Sequence, residues 1–148
     1  MNIETKYFGG QEIEEKEIFE FTGGVPGFLD EKEFILQPLA DDSPFQVLQS
    51  VNNTDIAFVI APLFFFTKEF DFSIPEAVVE QLGIEAEEDI VVYAIVTIKD
   101  PFSQSTVNLR APILLNVKTY RGKQLVLDQG NYDIRYPIFL EQPAGRER

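Results

Sequence analysis

The chain of 148 residues contains no histidine and no cysteine, and these two absences exclude most of the common catalytic and metal-binding chemistry. Without them there is no Ser-His-Asp or Cys-His nucleophile system. Zinc sites with thiolate or imidazole ligands and switches based on histidine titration are excluded as well. An enzyme remains possible only with carboxylates, lysines, tyrosines and hydroxyl groups. We predict no catalytic, metal-binding or cofactor-binding residue.

Long hydrophobic runs and a secretory leader are also missing. The longest apolar run, residues 56–66, has 11 residues and contains Pro62, whereas a membrane helix needs about 20. The first residues, MNIETKYF, include no basic segment followed by an apolar one. We therefore expect a soluble, cytoplasmic protein with no membrane segment.

Positive charge is scarce. Lys and Arg number 12 against 25 Asp and Glu, which gives a net charge of −13. Residues 1–100 hold five bases and 21 acids, and residues 101–148 hold seven bases and four acids. Such a surface repels nucleic-acid phosphates, so we expect no direct nucleic-acid binding. It attracts basic protein partners and speeds their encounter, although solubility alone would explain the same charge.

Short segments of β-branched and aromatic residues dominate the chain, and turn signals separate them. Residues 90–98 are apolar on both faces, which is typical of a central strand. Pro38, Pro62 and Pro112 lie inside or beside apolar runs, where they mark strand ends, bulges or edges. The pattern predicts an all-β fold, a small distorted barrel of short antiparallel strands.

One short α-helix is predicted at about residues 74–82. Ser73 and Glu76 have the spacing of a capping box, and Gly83 supplies a left-handed stop. The apolar stripe on this helix should pack against the sheet. No repeat or linker interrupts the chain, so residues 1–148 are predicted to form a single domain, with a frayed tail at about 141–148.

The segment FTGGVPGF, residues 21–28, resembles a phosphate-binding loop only in its glycines. Such a loop needs a lysine and a hydroxyl group at its end, whereas Leu29-Asp30-Glu31 follows here. We expect a structural turn instead, with Gly23 and Gly24 at positive φ and a type II turn at Pro26-Gly27. The flanking rings of Phe21 and Phe28 should anchor it in the core.

The segment EIEEKEIFE, residues 12–20, carries five glutamates around Lys16. Such a stretch is usually a solvated strand edge that charge protects from aggregation. The alternative is an acidic docking surface for a basic protein. The candidate contact residues on that hypothesis are Glu12, Glu14, Glu15 and Glu17.

Two further segments could contact a partner. Asn108 and Arg110 precede Pro112, where an interrupted edge strand could accept a partner strand. The simpler interpretation pairs Arg110 with a surface carboxylate. For the three phenylalanines at 64–66, buried packing is the default and an exposed partner patch is the alternative.

The residues alone also leave open two functions of other classes. One is an acidic barrel that binds a small molecule in its lumen. The other is a hydrolase that uses two inward-facing carboxylates about 5–10 Å apart, although the sequence suggests no particular pair.

Several stretches, taken in order, resemble the FliW family of flagellar assembly factors. They are TKYFG, GVPGFLDEKEFILQPL, DSPFQVLQSV, IAFVIAPLFFF, STVNLRAPILLN, GKQLVLD and YDIRYPI. The resemblance implies a barrel-like cytoplasmic protein without enzymatic activity that binds flagellin and the RNA-binding repressor CsrA. It also implies a partner switch: the protein antagonises repression of the flagellin messenger by CsrA, until free flagellin captures it and releases CsrA.

Overall fold

The structure, a computed structural model, describes residues 1–67, 73–127 and 132–138. The tail at about 141–148, predicted to be frayed, lies outside the described residues. The strands of the described part are β1 Asn2–Thr5, β2 Gly9–Glu12, β3 Phe19–Glu20, β4 Glu33–Pro38, β5 Gln46–Ser50, β6 Ala57–Pro62, β7 Ile90–Thr97, β8 Thr106–Asn116, β9 Arg121–Gln124 and β10 Tyr136–Pro137. The helix is α1 Glu76–Leu82, and 3-10 turns lie at Glu15–Glu17, Leu63–Phe65, Glu87–Asp89 and Phe102–Gln104.

Strands β3 to β9 close into a barrel. Their order is β8-β7-β6-β5-β4-β3-β9, and β9 pairs back onto β8. Every pairing in this ring is antiparallel except that of β3 with β9, where Glu20 and Arg121 pair in parallel. Strands β1 and β2 form a separate hairpin, and β10 pairs with the beginning of β8. The predicted all-β barrel is therefore confirmed.

The prolines distort the barrel where the sequence predicted. Pro38 and Pro62 are the last residues of β4 and β6. Pro112 lies in the part of β8 between Asn108 and Ile113, where the register with β7 shifts. A proline cannot donate a ladder hydrogen bond, so strand ends and irregular pairings are the positions that tolerate it.

Apolar side chains fill the interior of the barrel. Residues that alternate along the strands face inward, and rings such as Phe21 and Phe34 meet there with centroids 5.1 Å apart. The inward cluster is at most 5% exposed and consists of Phe19, Phe21, Val25, Phe34, Leu48, Ile60, Tyr93, Ile113 and Leu115. This packing argues against a small-molecule ligand in the lumen.

Smaller clusters cover the outside. Helix α1 packs Val78 and Leu82 against Leu114 of β8. The β1–β2 hairpin packs Ile3 against Ile35 of β4. In the ring, β7 and β8 are each three strands from β4, the largest separation that seven strands allow. The hairpin and α1 therefore cover opposite sides of the barrel.

The predicted helix is present, but its start differs from the prediction. It begins at Glu76, with Pro75 at the N-cap and no side-chain cap, so the predicted capping box at Ser73 is wrong. A residue before proline is biased away from helical geometry, which keeps Ile74 outside the helix. The predicted stop is confirmed, since Gly83 caps the C-terminus at φ 68°. No helix in the described ranges is long and apolar enough to cross a membrane.

The glycine-rich segment forms a turn, as predicted. Val25 and Phe28 exchange backbone hydrogen bonds of 3.3 and 2.7 Å around Pro26-Gly27, and Gly27 has φ 88°. Gly24 has positive φ but Gly23 does not, so that part of the prediction holds for one glycine only. Phe21 is buried, whereas Phe28 is 40% exposed.

Candidate protein-binding surface

The predicted acidic segment forms a turn of 3-10 helix rather than a strand edge. β2 ends at Glu12, and the backbone N–H of Glu17 then donates to the carbonyl of Glu14 at 2.9 Å. The Glu17 carboxylate accepts from the backbone N–H of Glu14 at 2.8 Å, which closes the turn. The turn leaves its three residues and Glu14 exposed, while Ile13 beside it is buried.

Pairing of β3 with β4 adds two further carboxylates. Glu20 of β3 lies directly opposite Glu33 of β4, and both are exposed. Like charges opposite each other destabilise a sheet, so this pair is unfavourable for folding alone. The sequence prediction did not include them among the contact residues, because strand pairing is not visible in the sequence. We call the following set the acidic surface: Glu12, Glu14, Glu15, Glu17, Glu20 and Glu33.

The carboxylates of the acidic surface are largely free of ion pairs. Lys16 lies 3.6 Å from Glu14, with both side chains at least 70% exposed, and such a pair contributes at most about 1 kcal/mol. The other ion pair of the described residues joins Lys118 to Glu85, elsewhere on the molecule. Most of the negative charge of the acidic surface is thus not neutralised by bases of the described part.

Two concave areas lie beside these glutamates. The first has a volume of about 330 Å³ and is lined by Phe8, Glu12, Glu17 and Gln37, among others. The second has a volume of about 510 Å³ and is lined by Met1, Glu15, Ile18, Glu20 and Glu33. Hollows that combine carboxylates with a few apolar side chains suit lysine or arginine, whose aliphatic stems pack while their charged ends meet the acids.

The second predicted contact, Asn108 and Arg110, is not brought to the acidic surface. Both lie on β8, on the side of the barrel away from β4. The Asn108 side-chain oxygen accepts from the backbone N–H of Arg110 at 2.9 Å and so stabilises β8 where its register with β7 shifts. The Arg110 side chain is exposed, and its Nε donates to the carbonyl of Leu127 at 3.3 Å rather than to a carboxylate.

The idea of a free strand edge at Arg110 is wrong. The backbone N–H of Leu127 donates to the Arg110 carbonyl at 2.8 Å, and that of Leu125 donates to the Pro112 carbonyl at 2.9 Å. The chain that follows β9 therefore occupies this edge, which leaves no row of unpaired backbone groups for a partner strand.

The geometry offers little for catalysis. Burial raises the pKa of the Tyr93 phenol above its ordinary value of 10.0, so this group stays protonated near neutral pH. In the described part of the chain, no three acidic side chains are placed to hold a metal ion. What the negative charge of the acidic surface supplies is electrostatic attraction for basic proteins.

Comparisons with known proteins agree with one another. A family model described as "FliW protein" matches residues 2–138. The flagellar assembly factor FliW of Bacillus licheniformis is 46% identical over 138 residues, covering 93% of this chain and 96% of that protein. The one from Geobacillus thermodenitrificans is 44% identical over 144 residues, covering 97% and 99%. A crystal structure of a flagellar assembly factor FliW superposes with a TM-score of 0.91 at 40% identity, covering 97% of this chain and 100% of that one.

Proposed function

Because the chain belongs to the FliW family of flagellar assembly factors, we propose that it is a non-enzymatic cytoplasmic regulator that binds the translational repressor CsrA and is captured by free flagellin. Bound to this protein, CsrA loses its hold on the flagellin messenger. Unassembled flagellin then competes for the protein and releases CsrA, which shuts flagellin synthesis down.

The acidic surface is the site that we assign to CsrA. CsrA must carry basic residues to grip RNA phosphates, and a cluster of carboxylates complements such a partner. The observation that supports the assignment best is the pair of opposed glutamates, Glu20 and Glu33. The Glu33 carboxylate accepts a hydrogen bond from the Asn52 side chain at 3.2 Å, and Arg121, opposite Glu20 in β9, donates to the Gln81 carbonyl instead. Neither glutamate has an ion pair in the described part of the chain, so a basic partner would relieve their repulsion.

Charge reversal on the acidic surface tests the assignment. We expect Glu14→Lys, Glu15→Lys and Glu17→Lys together to slow association with purified CsrA about tenfold at low salt, because electrostatic steering is lost. All three side chains are exposed, and the one hydrogen bond that is lost, from the Glu14 N–H to the Glu17 carboxylate, lies in the surface turn, so the barrel should persist. Stopped-flow mixing gives the association rate, and isothermal titration gives the affinity.

The matched control makes the same change in net charge on the opposite side of the barrel. It combines Glu76→Lys and Glu80→Lys on α1 with Asp100→Lys after β7, and all three side chains are exposed. Equal slowing by both variants, or by neither, would contradict a local site for CsrA on the acidic surface.

Recovery of partners tests the function itself. The protein should retain a CsrA-type repressor and flagellin from a lysate of motile cells, and added flagellin should displace the repressor. Retention of neither partner would count against the partner switch, whatever the charge variants do.

A further inference from the structure

A second concave surface lies on the α1 side of the barrel, away from the acidic surface. It has a volume of about 600 Å³ and a mainly apolar lining. Its apolar side chains come from α1, from the 3-10 turn after β6, from β7 and from the segments that flank the helix. We call it the α1 groove: Phe64, Ile74, Val79, Ile84, Ile90 and Val92.

The described residues of the fold leave this apolar surface uncovered. Helix α1 buries Val78 and Leu82 against the barrel, which turns the adjacent Val79 toward the groove. β6 pairs with β7 only as far as Pro62, opposite Tyr93, so Ile90 to Val92 continue beyond it. The 3-10 turn that follows leaves Phe64 47% exposed and Phe65 59% exposed. The default expectation of buried packing is therefore wrong for these two phenylalanines.

An exposed ring and several partly exposed aliphatic side chains around one hollow differ from singly scattered apolar residues, which need no explanation. Burial of such side chains by a partner stabilises a complex in proportion to the apolar area that is removed from water. The groove therefore has the composition of a docking surface.

The charge around the groove indicates what kind of partner fits. Residues 73–98 contain six acids and no lysine or arginine. Asp89 is buried and accepts from the backbone N–H groups of Glu85 and Ala86, both at 3.0 Å. Glu85 pairs with Lys118 at 2.9 Å. The carboxylates left exposed, with no ion pair to a base of the described part, are Glu76, Glu80, Glu87 and Glu88.

We propose that the α1 groove is a second protein-docking surface, for a segment that presents aliphatic side chains to the groove and lysine or arginine to Glu87 and Glu88. A second copy of this chain would place the exposed glutamates around one groove against those around the other, which costs free energy. The proposal goes beyond the function assigned above, and it holds whether or not CsrA binds on the opposite side.

A synthetic amphipathic peptide of leucine and lysine serves as the probe. Titrated into the isotopically labelled full-length chain, it should shift the amide resonances of groove residues such as Val79, Ile84 and Val92. A peptide of the same composition in scrambled order should shift them much less, because its leucines do not form one face.

Two variants identify the contacts. Phe64→Glu should weaken peptide binding about tenfold, because an exposed ring that the peptide would cover is lost. Leu29→Glu is its control, since Leu29 is 65% exposed and lies in a different loop. Glu87→Lys with Glu88→Lys should weaken binding more than Glu14→Lys with Glu15→Lys, which makes the same change in charge on the acidic surface.

Three outcomes would overturn the proposal. They are resonance shifts confined to the acidic surface, equal weakening by the groove variants and their controls, and self-association of the free protein through the groove in sedimentation. None of them bears on CsrA binding, which the charge reversal at Glu14, Glu15 and Glu17 tests separately.

Discussion

At the scale of single residues, Gly122 illustrates how tightly the barrel interior is packed. It lies in β9 opposite Leu115, and a Cβ added there would meet the Phe21 ring at 2.5 Å and a Leu115 methyl group at 2.8 Å. Both neighbours belong to the inward cluster and are fully buried. Neither can move without displacing others, because protein interiors are packed as densely as organic crystals.

Gly122→Ala should therefore destabilise the protein by about 1–3 kcal/mol through overpacking. The measurement is the free energy of unfolding from urea denaturation. Gly23→Ala is the control, because a Cβ at Gly23 meets no atom within 4 Å and its φ is not positive. Equal stability of the two variants would show that the interior around β9 can relax.

At the scale of secondary-structure elements, Asn116 connects α1 to the turn between β8 and β9. Its side-chain nitrogen donates to the carbonyl of Leu82 at 2.8 Å. Its side-chain oxygen accepts from the backbone N–H groups of Lys118 at 2.8 Å and Thr119 at 3.1 Å. The Thr119 hydroxyl donates to the same Leu82 carbonyl at 2.9 Å. One fully buried amide thus satisfies groups at the end of the helix and in the turn.

Asn116→Ala should lower the free energy of unfolding by about 2–3 kcal/mol, since buried polar groups lose their partners. Because the lost hydrogen bond holds the end of α1, amide hydrogen exchange in Glu76–Leu82, one wall of the α1 groove, should rise more than in β4. Asn2→Ala, at an exposed position in β1, should change stability by less than about 0.5 kcal/mol. Unchanged exchange in α1 would mean that packing of Val78 and Leu82 alone holds the helix.

At the scale of the whole molecule, the acidic surface and the α1 groove lie on different sides of the barrel. The acidic surface belongs to β2, β3, β4 and the 3-10 turn between β2 and β3, and the α1 groove lies against β7. Since β4 and β7 lie on opposite sides of the ring, the two surfaces face different directions. The net charge of −13 attracts basic proteins from either direction.

Long-range attraction of this kind is screened by salt, with a Debye length of about 10 Å at 0.1 M. We expect the association rate with CsrA to fall steeply as salt is raised, while the dissociation rate changes little. The variant reversed at Glu14, Glu15 and Glu17 should have a much shallower dependence. An association rate that salt does not alter would show that steering by the acidic surface is not involved.

Features that depend only on residues adjacent in the sequence could be predicted from the sequence. The turn at Pro26-Gly27 and the helix stop at Gly83 follow from backbone preferences of the residues themselves. The exposure of Glu12, Glu14, Glu15 and Glu17 follows from their charge. The free edge considered as an alternative at Arg110 is absent, because residues 125–127 of the chain after β9 pair with it.

Alone, the sequence determined an acidic, mostly β-structured protein without histidine or cysteine chemistry, because composition and local periodicity are properties of the side chains themselves. Only the tertiary structure decided that β9 closes the ring between β3 and β8, that Glu20 faces Glu33, and that Phe64 stays exposed beside α1. These outcomes depend on which distant strands pair. Burial of the inward side chains fixes this strand pairing, because a shift of the register by one residue would turn every buried side chain toward water.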